Sequence, residues 1–230
     1  MRRPNGRNTG TDTMTYATLQ SEIADDLNRQ DLTAVIPRFI RDAEAYLSSA
    51  IRHRRMETLL DVDFELGDFD ESGVSGAITL PTSFLEAKSL RITSGGVDRY
   101  LEQVSPESEE FLFRHRPSYP QYYAIMGNAL VTRPAYTGVG TLAYYTSIPA
   151  LSDTNTSNWL LERFPNAYRF AALVEGAKYL RDQPLEESYT VALKDAIAGV
   201  MMDERLHKST RGQIPPTAPA AETRDQMRQA

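Results

Sequence analysis

An α+β fold, with helices at both ends of the chain and a β-rich insertion between them, follows from three features of this sequence. Apolar residues recur at every third or fourth position before residue 56 and again after residue 152, which is helical spacing. Between 57 and 151 the period shortens to two, and glycine, proline and asparagine interrupt it at roughly the eight- to twelve-residue spacing of short strands and turns. The ends, 1–14 and 211–230, carry no periodicity, so a flexible N-terminal arm and an extended C-terminal tail are expected. The expected organisation is a helical bundle of 15–56 with 152–210, the insertion 57–151, and the two flanking segments.

The arm holds Arg2, Arg3 and Arg7 without an apolar run behind them, so no signal peptide is expected. Leu19, Ile23 and Leu27 repeat every four residues over 17–28, with Thr15 placed to cap the first free amides. A longer helix is expected over 33–55. Ile36, Phe39, Ile40, Ala43, Tyr46, Leu47, Ala50 and Ile51 line one side, and Arg38, Arg41, Asp42 and Glu44 the other. Pro37 fits the first turn, and Arg52-His53-Arg54-Arg55 forms a cationic end that suits the helix dipole.

Within the insertion, Leu60, Val62, Phe64 and Leu66 alternate with Asp61, Asp63 and Glu65, the pattern of a strand with one wet face. Further strands are expected at 77–80, 89–93 and 97–104, followed by a short helix over 106–113 capped by Ser105. The Gly127-Asn128 pair joins 122–126 to 129–133 as a hairpin. In 141–147, Leu142, Tyr144 and Thr146 face one way and Ala143, Tyr145 and Ser147 the other. Helical spacing then returns: Ser157 is placed to cap a short turn carrying Trp159, Leu160 and Leu161, and Pro165 opens a helix to 181 rich in small residues. A final helix runs from Pro184 to 208, striped by Tyr189, Leu193, Ile197, Val200, Met201 and Leu206.

Composition removes most chemistry. The chain has no cysteine, which excludes disulfides, thiolate metal sites and cysteine nucleophiles. His53, His115 and His207 lie far apart, no Gly-Lys pair suggests a phosphate loop, and no Gly-x-Ser-x-Gly elbow occurs. The acids Asp61, Asp63 and Glu65, the pair Asp25-Asp26 and the pair Glu186-Glu187 read as solvated charge. No catalytic residue, metal or cofactor is expected, and no run approaches the roughly 18 apolar residues of a membrane span. A net charge of −6 argues against broad binding to nucleic acid.

Two groups remain as candidate sites. Arg52, His53, Arg54 and Arg55 concentrate positive charge and suit either a phosphate contact, a helix terminus or an ion pair between subunits. Tyr119, Tyr122 and Tyr123, with Tyr136, Tyr144 and Tyr145, suit base stacking, core packing or a protein interface.

Several strings in order carry a resemblance. They are Thr15-Tyr16-Ala17-Thr18-Leu19, Ile23 to Arg29, Leu32 to Ile40 with Ala43-Glu44, then Ile78-Thr79-Leu80-Pro81 with Phe84-Leu85-Glu86, Leu90-Arg91-Ile92 and Val104-Ser105-Pro106-Glu107. Tyr144-Tyr145, Ile148 to Asp153, Asn158-Trp159-Leu160-Leu161 and Glu175-Gly176-Ala177 complete them. The series, from residue 15 to about 208, resembles the head-to-tail adaptor (connector) proteins of tailed bacteriophages. The resemblance implies a homo-oligomeric ring, by analogy a dodecamer, in the virion. Such a ring docks on the portal protein, receives tail or nozzle proteins and leaves an axial channel for genomic DNA. It also implies assembly in the host cytoplasm, and portal docking through the C-terminal region, which makes Ile214, Pro215 and Pro216 candidates for an extended strap. The alternatives are a nucleic-acid-binding module built on Arg52 to Arg55 and a hydrolase using acidic residues.

Overall fold

The computed structural model describes residues 14–64, 77–112, 119–134 and 136–210. Helix α1, Tyr16–Asp26, starts as the sequence predicts. The Thr15 hydroxyl accepts the Thr18 amide at 3.3 Å, and the Thr18 hydroxyl accepts the Thr15 amide at 2.7 Å, a reciprocal cap. Helix α2, Ile36–Ala50, buries Ile36, Phe39, Ile40, Ala43 and Leu47 on one side.

Two expectations about α2 need correction. The helix stops at Ala50, because Ile51 turns extended to bury its side chain and Arg52 folds back onto the freed end. The Arg52 guanidinium donates to the carbonyls of Ser48 at 2.9 Å, Ser49 at 3.3 Å and Ile51 at 2.8 Å, which satisfies groups that a helix terminus leaves open. Arg54–Met56 then form a separate 3₁₀ turn. Glu44, assigned to the wet side by spacing, is instead 7% exposed.

The strands are β1 Glu57–Phe64, β2 Ile78–Thr79, β3 Phe84–Ser94, β4 Val97–Gln103, β5 Tyr122–Met126, β6 Ala129–Arg133 and β7 Gly138–Thr146. A short helix, α3, spans Glu109–Leu112, later than expected because 106–108 form a turn. The strands build one sheet in the order β1-β7-β3-β4-β5-β6-β2, antiparallel except for a short parallel pairing of β4 with β5. Its two ends, β1 and β2, approach each other, so the sheet is nearly closed.

Val62, Phe64, Leu90, Ile92, Leu101, Tyr123, Leu130, Leu142 and Tyr144 fill its interior, while Asp61 and Asp63 face out as the alternation predicts. Gly140 is needed on β7, since a Cβ there would stand 2.8 Å from the Arg91 carbonyl on β3. Strand β3 begins five residues before its predicted start. Register shifts between Phe84 and Glu86 and between Ala87 and Ser89 break the two-residue period that sequence reading relies on.

Helices α4 Trp159–Arg163, α5 Pro165–Leu180 and α6 Gln183–Thr210 follow. The cap of α4 is Asn158 rather than Ser157: its side-chain oxygen accepts the amides of Leu160 at 3.1 Å and Leu161 at 3.0 Å. These helices share an apolar core with α1 and α2, separate from the core inside the sheet. Arg169 on α5 forms a two-bond pair with Asp26 on α1, at 2.6 and 2.7 Å.

A buried polar seam stitches this helical core where the chain returns from the sheet. The Glu44 carboxylate accepts the Leu151 amide at 2.7 Å and the Tyr168 hydroxyl at 3.2 Å. Asn158 donates to the Tyr168 hydroxyl at 2.6 Å and to the Pro149 carbonyl at 2.7 Å, and the Ser48 hydroxyl accepts the Ile148 amide at 3.2 Å. Burial raises the Glu44 carboxyl above its ordinary range, and burial with the adjacent Glu44 charge raises the Tyr168 hydroxyl strongly.

Candidate assembly interface

The turn after α2 sorts Arg52, His53, Arg54 and Arg55 into different environments. Arg52, besides closing α2, pairs with Glu86 on β3 at 2.9 Å. His53 is fully buried, its ring stacked on Trp159 at 5.0 Å between centroids and set edge-on to Phe164 at 6.3 Å. Its Nδ1 accepts the Arg55 amide at 3.2 Å, which leaves Nε2 to donate to the Asp203 carboxylate on α6 at 3.2 Å.

Arg54 faces two carboxylates, Asp203 at 3.4 Å and Glu204 at 3.6 Å, and its amide donates to Glu204 at 3.0 Å. Arg163 at the end of α4 donates to Asp203 at 2.8 Å. The hydrogen bond from Arg163, helped by that from His53, holds the Asp203 carboxyl down to about 2. The result is a charge knot tying α6 to the base of β1. Arg52 and Arg54 face carboxylates and His53 lies inside, so the four residues do not make one phosphate-binding face. Arg55 alone of the four is exposed.

The tyrosines also separate. Tyr123 is 2% exposed, in the sheet core, and its hydroxyl donates to Gln103 at 3.2 Å, so it has no surface to offer a neighbour. Tyr119 lies under the Arg99 guanidinium at 3.9 Å, and Tyr122 is half-buried on β5. Larger exposed apolar groups lie elsewhere: Leu59, Tyr100 and Val139 on the sheet, and Tyr46, Tyr179, Val191, Met202 and Leu206 on the helices. Such surfaces mark contacts with other proteins when they cluster. Ile214, Pro215 and Pro216 lie outside the described residues.

Sequence reasoning missed Asp203, Glu204 and Trp159 as partners of His53, and Arg163 as a partner of Asp203. The acid pair on α6 is its only local signal, and the pairing spans about 150 residues. Among the described residues no group of histidine and acidic side chains is arranged to hold a metal ion, and no helix is long and apolar enough to cross a membrane.

A family model described as SU10 adaptor protein matches residues 14–218, which takes in every element described above. No curated protein matches the chain.

Proposed function

The chain belongs to the SU10 adaptor protein family of phage head-to-tail adaptors, and from this premise we propose that it forms a ring docked on the portal and serves as the attachment platform for the tail. A phage structural adaptor is a component of the virion. In the proposed assembly the helical bundle, 15–56 with 152–210, supplies the ring wall and the β-rich insertion, 57–151, supplies contacts to neighbouring proteins. Copies assemble in the host cytoplasm into a ring, proposed as a dodecamer, around an axial channel that passes DNA.

The observation that carries this reading is the family match over 14–218. It extends past the last described helix and includes Ile214, Pro215 and Pro216. We assign those three residues to a strap that meets the portal. Of the basic group, Arg55 has the exposed side chain that a neighbouring copy or passing DNA requires. An acidic net charge suits a channel in which DNA slides rather than sticks.

Mixing the purified chain with its portal protein and imaging the mixture by electron microscopy tests the proposal. Ring-shaped particles on the portal are expected, and a strict monomer that never binds portal would overturn it. Deleting 212–230 should weaken docking while leaving the circular dichroism spectrum unchanged; undiminished docking removes the strap.

A further inference from the structure

Among the described residues, one side of the last helix carries apolar side chains open to solvent. On α6, Val191, Ala198 and Met202 follow at spacings of seven and four, on the side opposite the buried Leu193 and Val200. All three are exposed, and Val191 and Met202 are each more than half exposed. Beside them stands Gly199, where an added Cβ would meet nothing within 4 Å. Glycine inside an exposed helix is less stable than alanine, and no contact among the described residues requires it there. A close approach from outside the subunit would make use of it, because small residues let a partner's side chain or backbone sit near the helix axis.

A second surface has the complementary form. Between α2, α5 and α6 runs a groove of about 240 Å³, floored by Ala171, Val174 and Leu193, walled by Tyr46 and rimmed by Glu186. That volume is below the roughly 300–1,000 Å³ of small-molecule pockets, and it suits an inserted apolar side chain. Charge agrees. Arg205 is exposed one helical turn from Met202, on the convex face. The groove rim carries Glu186, while its neighbour Glu175 is already paired with Lys178 at 2.7 Å.

We infer that α6 of one copy, through Ala198, Gly199 and Met202, seats in the α2/α5/α6 groove of a second copy, with Met202 entering beside Tyr46 and Arg205 meeting Glu186. This rests on the adaptor reading and supplies its lateral contact. The two surfaces differ, so the contact is head-to-tail. Repetition of such a contact gives a ring when the rotation closes, whereas α6 faces meeting each other would stop at a pair.

Native mass spectrometry of the full chain, alone and with purified portal, provides the test. The variant Gly199→Leu keeps a good helix former in open space, so its melting temperature should hold or rise while assembly is lost. Arg205→Glu and Glu186→Arg should each lower the association constant by about tenfold, and the double variant should recover most of it. Assembly of Gly199→Leu equal to wild type, or a double variant no better than either single one, overturns the contact while leaving the adaptor reading intact. A wild-type chain that never assembles overturns both.

Discussion

Two clusters in this molecule are each built around a carboxylate, and they hold it by opposite means. In the seam, Glu44 is buried among neutral donors, the Leu151 amide and the Tyr168 hydroxyl, and burial raises its carboxyl. In the knot, Asp203 meets Arg163, Arg54 and His53 nearer the surface and is held down to about 2. The seam sits where the chain must return from the sheet into the helical core, so its bonds order backbone segments 148–151 and the start of α4. The knot joins side chains on elements already formed, α4 and α6, to the turn before β1. Fold should depend on the first and the position of α6 on the second.

Removing a seam residue should therefore have the largest effect. Asn158→Ala deletes the cap of α4 and leaves the Pro149 carbonyl and the Tyr168 hydroxyl without their donor, in a residue 7% exposed. Cap loss of about 1 kcal/mol plus unsatisfied buried groups gives about 3 kcal/mol of destabilisation by urea titration. A loss below about 1 kcal/mol would mean that the seam does not organise the return crossing. Tyr168→Phe removes only the hydroxyl and leaves Glu44 its Leu151 bond, so about 1 kcal/mol is expected.

The contrast also explains what could be read in the sequence. Helices α1, α2, α5 and α6, the alternation in β1 and β7, and the turn at Gly127-Asn128 were readable, because burial on one face leaves a period. Glu44 was misplaced because spacing reports which side of a helix a residue occupies, not whether a returning segment covers that side. The charge of Arg52 to Arg55 was visible, but its partners Glu86, Asp203 and Glu204 come from β3 and α6, and no local pattern links them. Of the tyrosines, Tyr123 follows its strand into the core, and only topology decides which face of β5 is inside. The strings that carry the family resemblance include Glu44, 148–153 and Asn158, which hold part of the seam, while Ser48 and Tyr168 lie outside them.

The knot gives the smallest effect and the sharpest sign. Asp203→Asn keeps the shape and loses the charge. Because Arg163 is about half exposed, a cost below about 1 kcal/mol is expected, shrinking further in high salt. The two carboxylates must then respond to pH in opposite senses. Asp203 is lowered from its ordinary 3.8 to about 2, so its contribution is present above about pH 4 and is lost as pH falls toward 2. Glu44 is raised above its ordinary 4.5, so its contribution is present below that value and is lost as pH rises through its folded value. In urea titrations from pH 2 to 7, the stability gap between wild type and Asp203→Asn should narrow on acidification. The gap between wild type and Glu44→Gln should move toward the variant as pH rises. Parallel gaps would show that the two sites do not differ in how they hold charge.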